Sequence, residues 1–294
     1  MRPGQVAERL RVLAHQQGRT IEELRTLYMM ESFLVRLQRT KYADDFVLKG
    51  GVLLAAFRLR RPTSDIDMQA LSFELDDEHL REVVAAVSEV EIDDGLVFDP
   101  NPISIAPIRD EDAYSGLRVL VRTHLMNSDN TVKLDVSTGD PINPSPITVT
   151  MPMILGGTFK MQGHPLATVI AEKTVTVLER GSVSTRWRDM MDVRNLALTY
   201  AFDFMELRVA VETVAKSRGV ELTSFREATD GWAEAGQTKW SAWRSRQGIE
   251  AITLADFGEQ LQVVTDFIDP VFVNDSRAGP WDQVNGRWVD VPPV

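Results

Sequence analysis

Phe46-Val-Leu-Lys-Gly50-Gly51-Val-Leu-Leu54, followed by Arg61-Pro-Thr63-Ser64-Asp65-Ile-Asp67, is the stretch on which the reading of this chain turns. Residues two apart on a strand project to the same face, so Asp65 and Asp67 present two carboxylates side by side. Such a pair is costly unless a cation lies between them. Hard oxygen ligands suit Mg²⁺, which combines one or two carboxylates with waters and substrate phosphates; Mn²⁺ is the natural substitute. The diglycine lets backbone N–H groups approach a phosphate closely. Between the two motifs, Gly51 to Leu59 reads as a short helix, and the Pro62 turn leads into a strand over Asp65 to Leu71.

Working outward, Val6, Leu10 and Leu13, then Ile21, Leu24, Leu27, Met30, Leu34 and Leu37, recur at helical spacing and predict two amphipathic helices at the start. Thr20 with Glu23 makes a capping box for the second. Leu80 to Val90 is a further helix. From about Val97 to Thr150 the pattern turns β-rich, with strands over Leu117 to His124 and Thr131 to Val136. Helical spacing returns over Pro165 to Arg180, Trp187 to Tyr200, Phe204 to Ser217 and Leu254 to Phe267. Asn285-Gly286 between Trp281 and Trp288 signals a tight hairpin. The expected fold is α/β (α+β): residues 1–162 form a catalytic sheet flanked by helices, and residues 163–294 form a mainly helical domain with a C-terminal hairpin.

Composition narrows the chemistry. With 294 residues and 44% apolar content the chain can bury an ordinary core. No run approaches the roughly 18 apolar residues of a membrane span, and the polar, helix-like N-terminus is not a signal peptide, which points to the cytoplasm. Cysteine is absent, so disulfides, thiolate zinc sites and cysteine nucleophiles drop out. A net charge of −11 argues against broad affinity for a polyanion, yet leaves room for a local cleft built from Arg58, Arg60, Arg61, Arg118, Arg122, Lys133, Lys173, Arg186, Arg188 and Arg194. His15, His79, His124 and His164 are scattered without zinc-ligand spacing, and no nucleotide-binding loop or hydrolase elbow motif occurs.

Asp135 lies in Thr131-Val-Lys-Leu-Asp-Val, where alternation would place an acid on a solvated face. Beside Asp65 and Asp67 it becomes a candidate second-metal ligand or general base. Two metals held by three acids can activate an attacking oxygen and stabilise a leaving pyrophosphate. Lys173 falls on the apolar stripe of Val169, Ile170 and Val177; a snorkelling side chain would do the same, but a partly buried ammonium could also bind a triphosphate. Asp189 and Asp192 open the next helix, where acids favour the macrodipole or orient Lys173. Lys239, Trp240, Trp243, Arg244 and Arg246 interleave cations with aromatics, as in single-strand RNA grips, although tryptophans at such spacing more often pack a helix.

The order of Phe46-Val-Leu-Lys-Gly-Gly, Arg61-Pro-Thr-Ser-Asp-Ile-Asp, Val132-Lys-Leu-Asp135, Ala171-Glu-Lys173 and Arg186-Trp-Arg-Asp-Met-Met-Asp192 resembles the AbiEii-type nucleotidyltransferase toxins of the DNA polymerase β-like superfamily, over about residues 46–200. The resemblance implies a toxin with a separately encoded antitoxin; some relatives transfer a nucleotide from an NTP to the 3′ end of tRNA and so block translation. It places Gly50, Gly51, Ser64 and Lys173 at the nucleotide, Asp65, Asp67 and Asp135 at the metal, Asp189 with them in catalysis, and Thr63 at a hydroxyl open to regulatory phosphorylation. The family's last acidic motif usually continues into Leu-Tyr, and here reads Asp192-Val-Arg, so either Asp189 or Asp192 could face the cleft. Transfer to a protein hydroxyl, as in AMPylation, and an idle nucleotide-binding module are the competing readings.

Overall fold

The computed structural model describes residues 3–71, 73–108, 116–125, 128–181, 186–275 and 278–290. The chain divides into two compact units, Met1–Gly139 with Pro146–His164, and Asp140–Ser145 with Pro165–Val294.

The first unit opens with helices α1 (Pro3–Gln17) and α2 (Ile21–Leu37). The Thr20 hydroxyl accepts the Glu23 N–H at 3.2 Å, so the capping box forms as its spacing requires. Then follow β1 (Phe46–Lys49), a single helical turn α3 (Gly50–Leu53) tightening into a 3₁₀ turn (Leu54–Phe57), β2 (Ile66–Ala70), and α4 (Asp77–Glu89). Strands β3 (Leu96–Phe98), β4 (Ser104–Pro107), β5 (Gly116–Leu125), β6 (Ser128–Ser137), β7 (Ile147–Pro152) and β8 (Thr158–Gly163) complete it. Among the described residues they form one mixed sheet in the order β3-β5-β6-β2-β1-β8-β7, with β4 also paired to β5. β2 runs parallel to β6 and β1 to β8, while β1 and β2 are antiparallel.

Alternation sorts the two faces of the central strands. Val132, Leu134 and Val136 are buried, whereas Lys133 and Asp135 between them are only half-buried. Helix α2 is anchored at two points of its C-terminal half. Arg36 donates to both oxygens of Asp94 at 2.6 and 2.9 Å. Glu31 accepts from Arg60 at 2.6 Å and from the Ile154 N–H at 2.8 Å, which fixes the loop leading to Thr63.

The second unit contains α5 (Leu166–Arg180), α6 (Trp187–Thr199), α7 (Phe204–Arg218), the short α8 (Phe225–Ala228), α9 (Trp232–Gln247) and α10 (Phe257–Phe272), closed by the hairpin β9 (Ala278–Asp282) and β10 (Arg287–Asp290). Its core is aromatic: Trp187, Trp232 and Trp240 gather around Phe257, and Trp281 and Trp288 pack on Phe267. Asp140, buried, accepts from Arg218 Nη2 at 2.6 Å, and Thr168 Oγ1 donates to the Asn143 carbonyl at 2.8 Å, so the segment after β6 packs with these helices. The last helix begins three residues later than its periodicity predicts, capped by Asp256, and runs through Pro270 to Phe272. Among the described residues no helix is long and apolar enough to cross a membrane.

Candidate active site

Four neighbouring strands each contribute one charged residue to a single row. Register pairs Lys49 of β1 with Asp67 of β2, Asp67 with Asp135 of β6, and Asp135 with Arg118 of β5. Directly paired residues share a face, so cation, anion, anion and cation follow one another across the sheet. Strands lie about 4.8 Å apart, close enough for the two central charges to repel. Arg118 grips the outer acid with a fork, Nε to Asp135 Oδ1 at 2.8 Å and Nη2 to Oδ2 at 2.7 Å.

One step back along β6, Lys133 reaches Asp65, its Nζ lying 2.7 Å from Oδ2. Asp65 stands immediately before the first paired residue of β2 rather than within the strand. The Thr63 hydroxyl is 3.3 Å from Asp65 Oδ1, within donating distance, and Ser64 is exposed. Thus Thr63 does adjoin the acid pair.

Gly50 makes this packing possible. Its φ is +64°, and a Cβ built there would lie 1.9 Å from Asp67 Oδ2, so only a residue without a side chain lets the backbone pass the carboxylate. At Gly51 a Cβ would meet Thr63 Oγ1 at 2.7 Å and Arg61 Nη1 at 2.8 Å. Burial first, and then the neighbouring Asp65 charge, push the Asp67 carboxyl up to about 6; Asp135 adds to the rise, while Lys49 and Arg61 oppose it.

The second unit assembles a separate group. Lys173 of α5 lies with its Nζ 2.5 Å from Asp189 Oδ1 and 2.9 Å from Asp192 Oδ2. The two acids are three apart on α6 and therefore share a face. Arg186 approaches the other oxygen of Asp189 at 3.4 Å. With the lysine side chain 11% exposed and Asp192 2% exposed, this ammonium is held inside rather than snorkelling. Both acids contact this ammonium.

The first unit therefore brings together Gly50, Gly51, Thr63, Asp65, Asp67 and Asp135, with Ser64 exposed between Thr63 and Asp65; the second brings together Lys173, Asp189 and Asp192. Reading the sequence missed the pairings of Lys49, Arg118 and Lys133 with the acids. The signal for Lys133 was present, since it stands two residues before Asp135 on an alternating strand. Trp240 and Trp243 are buried and Arg244 donates to Thr253 at 2.8 Å, so these three pack the core, while Lys239 and Arg246 are exposed.

Among the described residues no group of three or more acids or histidines is arranged as a ready cage for a metal ion. Arg118 takes both oxygens of Asp135, and Lys133 takes one of Asp65. The Asp65 and Asp67 pair still fits a divalent ion that draws its remaining ligands from water and phosphate oxygens. A cation between them would relieve the part of the Asp67 carboxyl's rise that comes from the neighbouring Asp65 charge.

Against known families, residues 32–263 match the model described as nucleotidyl transferase AbiEii toxin, type IV toxin–antitoxin system. The chain belongs to the AbiEii toxin family. As an AbiEii protein it is a nucleotidyltransferase, and its class implies a nucleotide substrate and a separate antitoxin. A crystal structure of a candidate nucleotidyltransferase from H. pylori superposes with a TM-score of 0.50 at 18% identity, covering 87% of this chain and 98% of that one, which shows the shared mixed α/β fold. JHP933 from Helicobacter pylori superposes with a TM-score of 0.48 at 19% identity, covering 87% of this chain and 95% of the other. No curated protein matches this AbiEii sequence.

Proposed function

We propose that this toxin transfers the NMP of an NTP to the 3′-hydroxyl of RNA, with tRNA as the acceptor, and thereby blocks translation, in a Mg²⁺-dependent reaction in the cytoplasm. The observation that carries the chemistry is the Asp67 and Asp135 register, with Asp65 beside it and Gly50 against Asp67. The 3′-hydroxyl gives up its proton to a base, the role assigned to Asp135, as its oxygen forms a bond to the α-phosphorus; the bond from the α-phosphorus to the bridging oxygen breaks, and pyrophosphate leaves with that oxygen and its electron pair. When bound, Mg²⁺ would supply charge stabilisation for the attacking and leaving oxygens.

Asp65 and Asp67 would hold that ion, and Asp135 is the third acid of the row. Gly50, Gly51 and Ser64 line the approach of the triphosphate. Lys173, oriented by Asp189, is assigned to the phosphates. A phosphate of charge near −2 on Thr63 would sit against Asp65 and repel the NTP, giving an antitoxin a simple means of control. The acceptor rests on the family resemblance and on charge: a chain of net charge −11 has little non-specific hold on a long polyanion, which suits recognition of a terminus.

Sequencing RNA 3′ ends after expression tests this reading. Non-templated nucleotides on tRNA ends, absent with Asp65→Ala, support it. Unaltered RNA ends together with AMP on protein hydroxyls would select the protein-modifying reading instead, and growth inhibition that survives Asp67→Ala would point to an idle binding module.

A further inference from the structure

We infer that Lys133 is a displaceable counter-ion of Asp65, which leaves that carboxylate for the triphosphate when a divalent cation arrives and so couples binding of the two. This rests on the metal-dependent reading above. The row and its neighbour hold three acids, Asp65, Asp67 and Asp135, against three strand cations, Lys49, Arg118 and Lys133. Charge is thus compensated without a metal. A divalent ion at Asp65 and Asp67 would add two positive charges to that balance, so a cation held only by one of these acids is no longer needed there.

Geometry identifies which cation gives way. Arg118 is held by two parallel bonds, a planar fork that fixes its position. Lys133 meets Asp65 through its ammonium alone, on a flexible four-carbon stem, without a second bond to fix its position on that acid. It points to the same face as Asp135, two residues on. A triphosphate bound there offers the displaced ammonium a new anionic partner. The metal alone must break the Lys133–Asp65 pair, whereas metal with nucleotide exchanges one partner for another.

Mn²⁺ titration followed by electron paramagnetic resonance, on the full chain, tests this. Lys133→Met keeps the stem and removes the charge, and should bind Mn²⁺ alone about 5- to 10-fold more tightly than wild type. At saturating Mn²⁺ the same variant should bind α,β-methylene nucleoside triphosphates, each of the four tested, more weakly than wild type. Lys49→Met removes an equal charge on the β1 side and should tighten Mn²⁺ by less. A merely structural lysine would loosen the site and weaken Mn²⁺. Unchanged or weaker Mn²⁺ binding by Lys133→Met, where Asp65→Asn abolishes it, overturns the counter-ion role alone. If Asp65→Asn leaves Mn²⁺ binding unaltered, the metal reading falls, and this inference with it.

Discussion

Asp67 on β2 and Asp135 on β6 occupy the same register position on adjacent parallel strands. Two acids placed side by side in a sheet are destabilising, and here Lys49 and Arg118 flank them rather than separate them. The fold therefore carries a local cost at the position where the chemistry needs negative charge, an exchange of stability for function seen commonly at active sites.

Replacing Asp67 with Asn should stabilise the metal-free protein while abolishing transfer. The wild-type carboxyl titrates near 6 when folded, against a reference value of 3.8. The folded state therefore binds the proton more tightly than the unfolded chain does. That contribution is fully present below about pH 4 and is lost as pH rises through 6. Allowing for the side chain's partial exposure, Asp67→Asn should gain about 1–2 kcal/mol at pH 7.5. Urea midpoints at pH 7.5 and pH 4 should show the gain at the first and little at the second. Equal gains at both would mean the Asp67 charge is not the cause.

Gly50→Ala should fold yet lose about 100-fold or more in transfer rate, because an ångström-scale shift of a reacting group costs that much. The added methyl would overlap Asp67 Oδ2 and meet a positive φ. Circular dichroism and a transfer assay with labelled NTP separate the two effects. A Gly50→Ala protein with wild-type turnover would show that the glycine serves the turn alone.

Removing Lys173 strips the buried Asp192, and the half-buried Asp189, of their shared partner. Lys173→Met should destabilise by about 3–5 kcal/mol. Adding Asp192→Asn to it should restore part of that loss, since the two residues touch at 2.9 Å and their effects do not add. Chemical denaturation of both single variants and the double variant checks this. Additive losses would deny the pairing.

The sequence displays the helices and their caps well. Thr20 with Glu23 and the apolar stripes of α1 and α2 are local patterns; the hairpin around Asn285-Gly286 also forms, but with Asp282 paired to Arg287 and only Gly286 of the Asn-Gly pair at positive φ, so it is a longer loop than the tight turn that signal predicts. Strand β8 is harder to see: Phe159-Lys-Met-Gln-Gly carries weak alternation, and its place beside β1 is a parallel pairing across more than 100 residues of chain. For the same reason the acids were visible and their partners were not. Asp65 and Asp67 are two apart, whereas the meeting of Arg118 with Asp135 depends on the antiparallel register of the consecutive strands β5 and β6, and that of Lys133 with Asp65 on the pairing of β6 with β2, far apart in sequence. The helix start at Phe257 was missed because Leu254 continues the apolar spacing outside the Asp256 cap.

The most direct measurement is incubation of the purified protein with each α-labelled NTP, Mg²⁺ and total tRNA, wild type beside Asp65→Ala. Label joined to RNA 3′ ends by the wild type, sensitive to ribonuclease and absent with Asp65→Ala or with chelator, is the expected result. No labelling of RNA with any of the four NTPs, or equal labelling by Asp65→Ala, would contradict it.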